Sequence, residues 1–122
     1  MSNSVAAIVA WLTEAHRDLK KLESDALAAL YENEDEAAYR LLMRKRAERL
    51  AALDAEGKEV LKGVPKPLHR NVSQAVSRFS RGAQKSLELN SVFYMSLLLY
   101  PCGHQPGEPD NLECLIAEIT AS

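Results

Sequence analysis

Apolar residues recur along the N-terminal stretch at Val5, Ile8, Leu12, Ala15, Leu19, Leu22, Ala26 and Ala29, in alternating steps of three and four. That spacing keeps them on one face of an α-helix and describes the seam of a bundle or coiled coil. Ser4 is placed to cap the start. Asn33 with Glu36 has the form of a capping box for a second helix, so the first is expected to end near Tyr31. The second, from about Glu34 to Lys62, is dense in strong helix formers, with acids in its first turn and Lys62 near its end, as the helix dipole favours. Gly57 weakens its last turns, and Gly63-Val64-Pro65-Lys66-Pro67 stops it.

A third helix is predicted to begin near Leu68. Leu68, Val72, Ala75, Val76, Phe79, Ala83 and Leu87 fall within an arc of about 120° at helical spacing. The apolar run from Val92 to Tyr100 is expected to carry the same helix on to Leu99, with Asn90 as the place for a kink; as a strand it would have nothing to pair with. Pro101 to Pro109 reads as loop. Asp110 with Glu113 then caps a short last helix that presents Leu112, Leu115, Ile116 and Ile119 on one face. The pattern therefore predicts a single all-α domain over residues 1–122, an antiparallel three-helix bundle with a short C-terminal fourth helix.

Composition agrees with that reading. With 47% hydrophobic and 26% charged residues in 122, the chain can bury a core, which excludes a disordered segment. The apolar runs Ser4 to Leu12 and Val92 to Tyr100 fall far short of the ~20 residues a membrane-spanning helix needs. No Lys or Arg precedes the first run, so no signal peptide is expected and the expected location is cytoplasmic, away from membranes.

Charge changes the picture more, because it is sorted. Residues 1–39 hold eight acids and three bases, residues 40–88 twelve bases and five acids, and residues 89–122 four acids and no Lys or Arg, within a net charge of -2. On the third helix Lys66, Arg70, Arg78, Arg81 and Lys85 share an arc of about 120° opposite the apolar face. Two readings stand for this stripe. It pairs with the acidic first helix and sets helix orientation, or it is an outer patch for nucleic acid or an acidic protein. Against nucleic acid stand the net acidic charge and the lack of aromatic residues interleaving the stripe.

Candidate chemistry is sparse. His16 in "EAHRDLKK" has the setting of a phosphoacceptor histidine on a bundle helix, but Leu19 stands where such motifs carry lysine, and a solvent-facing histidine is the simpler reading. Cys102, His104 and Cys114 offer three soft or borderline ligands where structural zinc takes four. Cys114 fits a half-buried small hydrophobe better, and a Cys102 to Cys114 disulfide is disfavoured in a reducing cytoplasm. No nucleophile motif, phosphate loop or metalloprotease helix occurs, so no enzymatic activity and no cofactor or metal is expected.

The segment from Leu22 to Leu53, "LESDALAALYENEDEAAYRLLMRKRAERLAAL", resembles the front half of flagellar-type export chaperones: a long helix, a short acidic turn, then a second helix rich in Leu and basic residues. The resemblance implies an all-helical cytoplasmic protein that binds a hydrophobic segment of a secreted partner through an exposed helix face. The expected function is protein–protein interaction, as adaptor, chaperone or self-associating dimer, with nucleic-acid binding as the alternative. The expected contact residues are Arg70, Arg78, Arg81 and Lys85 of the stripe and Leu112, Leu115, Ile116 and Ile119 of the last helix, should that helix come away from the bundle.

Overall fold

Residues 3–121 are described in a computed structural model. The chain is all-α, with no strand among the described residues: α1 (Asn3–Tyr31), α2 (Glu36–Ala51), α3 (Leu53–Val60), α4 (Lys66–Glu88), α5 (Val92–Leu97) and α6 (Asn111–Ala121). None of these helices is long and apolar enough to cross a membrane. Six of the eight expected seam positions of α1 are buried, Ile8, Leu12, Ala15, Leu19, Ala26 and Ala29, while Val5 and Leu22 are only partly buried. The helix α2 sits centrally, against α1 on one side and α4 on the other, while α6 lies along α1. A main core gathers Ile8, Leu12, Leu50, Val76, Leu99 and Leu112. A second cluster, Ala26, Met43, Ala47 and Met95, fills the end near the α1–α2 turn.

The turn after α1 is closed by Glu34 in the left-handed region (φ 51°), where the Asp35 N–H donates to the Ala29 carbonyl at 2.9 Å. The cap of α2 accordingly falls on Asp35, whose side chain accepts from the Ala38 N–H at 3.0 Å, rather than on Asn33.

Each of the two later long helices is divided. The one expected over 34–62 steps at Ala52. There the Ser80 hydroxyl, reaching in from α4, donates to the Leu50 carbonyl at 3.0 Å and accepts from the Asp54 N–H at 3.0 Å. It thus occupies the place of the direct bond between those two backbone groups, and a side chain inserted into the ladder bends a helix. Beyond the step, α3 brings Gly57 under the Trp11 indole. A Cβ there would lie 3.1 Å from the ring, so the glycine that weakens helix propensity is what lets α1 and α3 approach.

The helix expected over 68–99 starts two residues early, at Lys66, because Pro65 and Pro67 suit a helix N-terminus. It also stops at Glu88. Asn90 adopts φ 49°, the Ser91 N–H returns to the Ser86 carbonyl at 3.1 Å, and Arg44 holds the Asn90 side chain at 3.0 Å. Ser91 then caps α5 by accepting from the Tyr94 N–H. The last helix begins as expected: the Asp110 carboxylate accepts from the Glu113 N–H at 2.8 Å while Glu113 accepts from the Asp110 N–H at 3.0 Å.

Replacing Ser80 by Val removes the inserted hydroxyl at a fully buried position and leaves the Leu50 carbonyl and Asp54 N–H without partners. The expected loss is about 2 kcal/mol in denaturant unfolding. An unchanged stability would show that the ladder closes by itself.

Candidate functional site

A buried cation organises the region between α2 and α5. Arg46 is 1% exposed. Its Nη1 donates to the Met95 carbonyl and its Nη2 to the Leu98 carbonyl, both at 3.1 Å, so it closes the C-terminal end of α5. The Glu23 carboxylate of α1 lies 3.7 Å away and supplies the countercharge, and the Tyr100 ring stands 5.7 Å from the guanidinium. Its Nε has no protein partner among the described residues.

Glu23 is itself held by Tyr100, whose hydroxyl donates at 2.7 and 2.6 Å, and by Lys20 at 3.0 Å. Burial works against the Glu23 charge, but the bonds from Tyr100 and Lys20 and the nearby Arg46 outweigh it and bring the carboxyl below its ordinary value. Burial, then the bond to Glu23, pushes the Tyr100 phenol up. Lys20 also loses by burial, yet its bonds to Tyr100 and Glu23 carry it above its usual value.

Pinned at its end, the six-residue α5 buries only Met95. Phe93 (67% exposed), Tyr94 (52%) and Leu97 (47%) face outward beside Leu89 (53%). Between this face and α4 runs an open groove of about 540 Å³ with Phe79, Leu89, Tyr94, Leu97 and Leu98 among its walls. Arg78 and Lys85 line it too, and no Asp or Glu does.

The expected contact residues fall into two groups. Arg70, Arg78, Arg81 and Lys85 are exposed on α4 and form no ion pair within 4 Å among the described residues. Arg81 donates only to Ser77, at 3.2 Å. Two acids of α1 pair instead with α2, Asp18 with Arg49 at 3.2 Å and Glu23 with Arg46, while Glu14 and Asp25 pair within α1 with Arg17 and Lys21. On α6, by contrast, Leu112, Leu115 and Ile119 are buried in the main core and Ile116 is partly buried against it, so with α6 packed on the bundle the first three face inward.

Cys102 and Cys114 are free, exposed thiols, and His104 turns to the Glu108 carbonyl at 2.8 Å with its ring 4.8 Å from that of Tyr100. The three do not converge as a ligand set among the described residues. The group that does is His16, Asp110 and Glu113, with ligand atoms all within 4.8 Å of one another. These atoms are engaged in the α6 cap: His16 Nε2 lies 3.0 Å from Asp110 Oδ2 and 3.7 Å from Glu113 Oε1. A metal would have to displace the cap's own bonds. Partly buried and bonded, His16 is not the solvent-facing residue expected from sequence.

Sequence reasoning missed Leu89, Phe93, Tyr94 and Leu97; an uninterrupted helix places the last three on the apolar arc of the third helix. The signal was the pair Asn90-Ser91, a left-handed former followed by an N-cap residue. No family model, no curated protein and no solved structure matches this chain.

Glu23→Gln removes a carboxylate whose native pKa is depressed, so its contribution is fully present above the ordinary glutamate range and is lost as pH falls through the lower native value. The variant should lose about 2 kcal/mol at neutral pH. The gap from wild type, read by denaturant unfolding across the acid range, should narrow as pH falls; a gap independent of pH would refute the charged role.

Proposed function

We propose that the chain is an adaptor- or chaperone-like helical-bundle module acting in the cytoplasm by protein–protein interaction. Its frame on this reading is an antiparallel three-helix bundle of α1, the α2–α3 pair and α4, with α6 folded over it as the short fourth helix. The observation that carries the proposal is the outward apolar face of α5, with Leu89, Phe93, Tyr94 and Leu97 each close to half exposed or more beside the exposed cations Arg78 and Lys85. Contiguous apolar surface of this kind, rimmed by charge, marks a protein-binding site. The resemblance of residues 22–53 to flagellar-type export chaperones points the same way, toward a hydrophobic segment of a partner.

One observation favours a second reading. Arg70, Arg78, Arg81 and Lys85 lie exposed along one helix face, which supplies the footprint for a phosphate backbone. The apolar floor between α4 and α5 is not what such a backbone needs, so the protein-binding reading is preferred.

The test uses the full chain as bait in extract of its native host, against Leu97→Asp. Position 97 is 47% exposed, so the variant should keep the wild-type melting temperature. Captured protein, identified by mass spectrometry, should fall about tenfold, as one lost anchor of about 1.4 kcal/mol would give. Equal capture by both baits overturns the proposal. Steeply salt-dependent binding to duplex RNA or DNA, lost on changing Arg78, Arg81 and Lys85 to Glu but indifferent to Leu97→Asp, establishes the second reading.

A further inference from the structure

Gly82 stands inside α4, exposed and without the left-handed backbone that calls for glycine. A Cβ built on it would meet only Leu98 Cδ2, at 3.7 Å, which is ordinary contact. Gly57 is needed for a close approach within the chain; Gly82 is not. Yet glycine is among the weakest helix formers, so its place in the middle of a long helix asks for a reason outside the fold. What its missing side chain leaves is space on the floor of the groove between α4 and α5, which Gly82 lines.

At 100° per residue Arg78, Gly82, Lys85 and Leu89 fall within an arc of about 60°, and all four line the groove as a single wall. Arg78 and Lys85 stand two turns apart, about 10.5 Å, on either side of the glycine. Tyr94 and Leu97 of α5 are among the facing residues. Two acids stand near this wall without belonging to it. Glu88 lies about 60° outside the arc, and Glu118 of α6 lines a separate crevice that shares Arg78; neither borders the groove.

We propose that the groove takes an acidic amphipathic helix from a partner protein. The helix lies along α4 with its backbone close over Gly82, its apolar face on Leu89, Tyr94, Leu97 and Leu98, and two carboxylates seven residues apart opposite Arg78 and Lys85. The proposal rests on the protein-binding reading of the α5 face and names the chemistry of the partner. An apolar floor between two helices is the setting of helix-in-groove recognition. Walls that carry two cations and no acid attract carboxylates and reject basic segments. A small amphiphile fits less well, because small-molecule sites enclose most of their ligand and this groove is open, and a single anionic head does not call for two cations two turns apart.

The full chain is panned against a displayed library of random peptides of about 16 residues, a little over four turns. The strongest binder is then labelled and titrated by fluorescence anisotropy. Enriched sequences should carry apolar residues at helical spacing and Asp or Glu seven residues apart. Gly82→Leu fills the floor and should weaken the binder about tenfold, while the better helix former raises the melting temperature by about 3 °C. Loss of binding with a gain in stability separates an occupied groove from a glycine that serves only the fold. Arg78→Glu/Lys85→Glu, at two exposed positions, should weaken the binder about a hundredfold, and a peptide with its two acids changed to lysine should bind that variant better than it binds wild type. Failure to enrich any peptide, binders that lack the acid pair, or binding indifferent to Gly82→Leu overturns the proposal; so does a groove that takes palmitate while the library yields nothing. The two readings fail separately. A library without acidic helices, beside host-protein capture that still depends on Leu97, removes this occupant and keeps the adaptor; acidic helices that bind through Gly82, beside capture indifferent to Leu97→Asp, keep the groove and remove the adaptor.

Discussion

A guanidinium taken out of water costs several kcal/mol unless its donors find acceptors and its charge a counter-ion. Arg46 meets that demand with two carbonyls at the end of α5 and with Glu23 of α1. Because those acceptors belong to different helices, satisfying one side chain sets three elements relative to one another. The end of α5 must come to α2, Glu23 must face inward from α1, and Tyr100 must close over both. An apolar residue of similar volume would fill the space without any such directional demand, which is why a buried charge acts on position more than on stability.

The exposed apolar face follows from that constraint. A six-residue helix tied down by its last carbonyls can turn only one side to the bundle, and Met95 takes that side. Phe93, Tyr94 and Leu97 are left in solvent, where their hydrophobic free energy is unspent until something covers them. The groove beside α4 has the same origin, since α4 stops at Glu88 and α5 returns at an angle instead of continuing the helix.

Charge sorting completes the surface. Asp18 and Glu23 of α1 are taken up by Arg49 and Arg46 of α2, and Arg49 also binds Glu56 of α3 at 3.1 Å. These pairs stitch the first three helices. The cations of α4 lie beyond that seam, so segregation visible as a run of bases ends as an exposed stripe beside the groove.

How much of this was legible follows the range of the interactions. Helix α1, its buried positions, the capping box at Asp110 and Glu113, and the exposed stripe of α4 depend on residues within a turn or two of each other, and local spacing determines them. What only the tertiary structure decided depends on contacts far apart in the chain. Ser80 splits a ladder thirty residues before it, Arg46 meets carbonyls 49 and 52 residues on, and His16 joins a cap 94 residues away. The outward face of α5 belongs to this second group, because an apolar hexapeptide carries no mark of which side a distant arginine will leave exposed. Burial of Leu112, Leu115 and Ile119 belongs there too: periodicity put them on one face of α6, and only packing along α1 decided that the face turns inward.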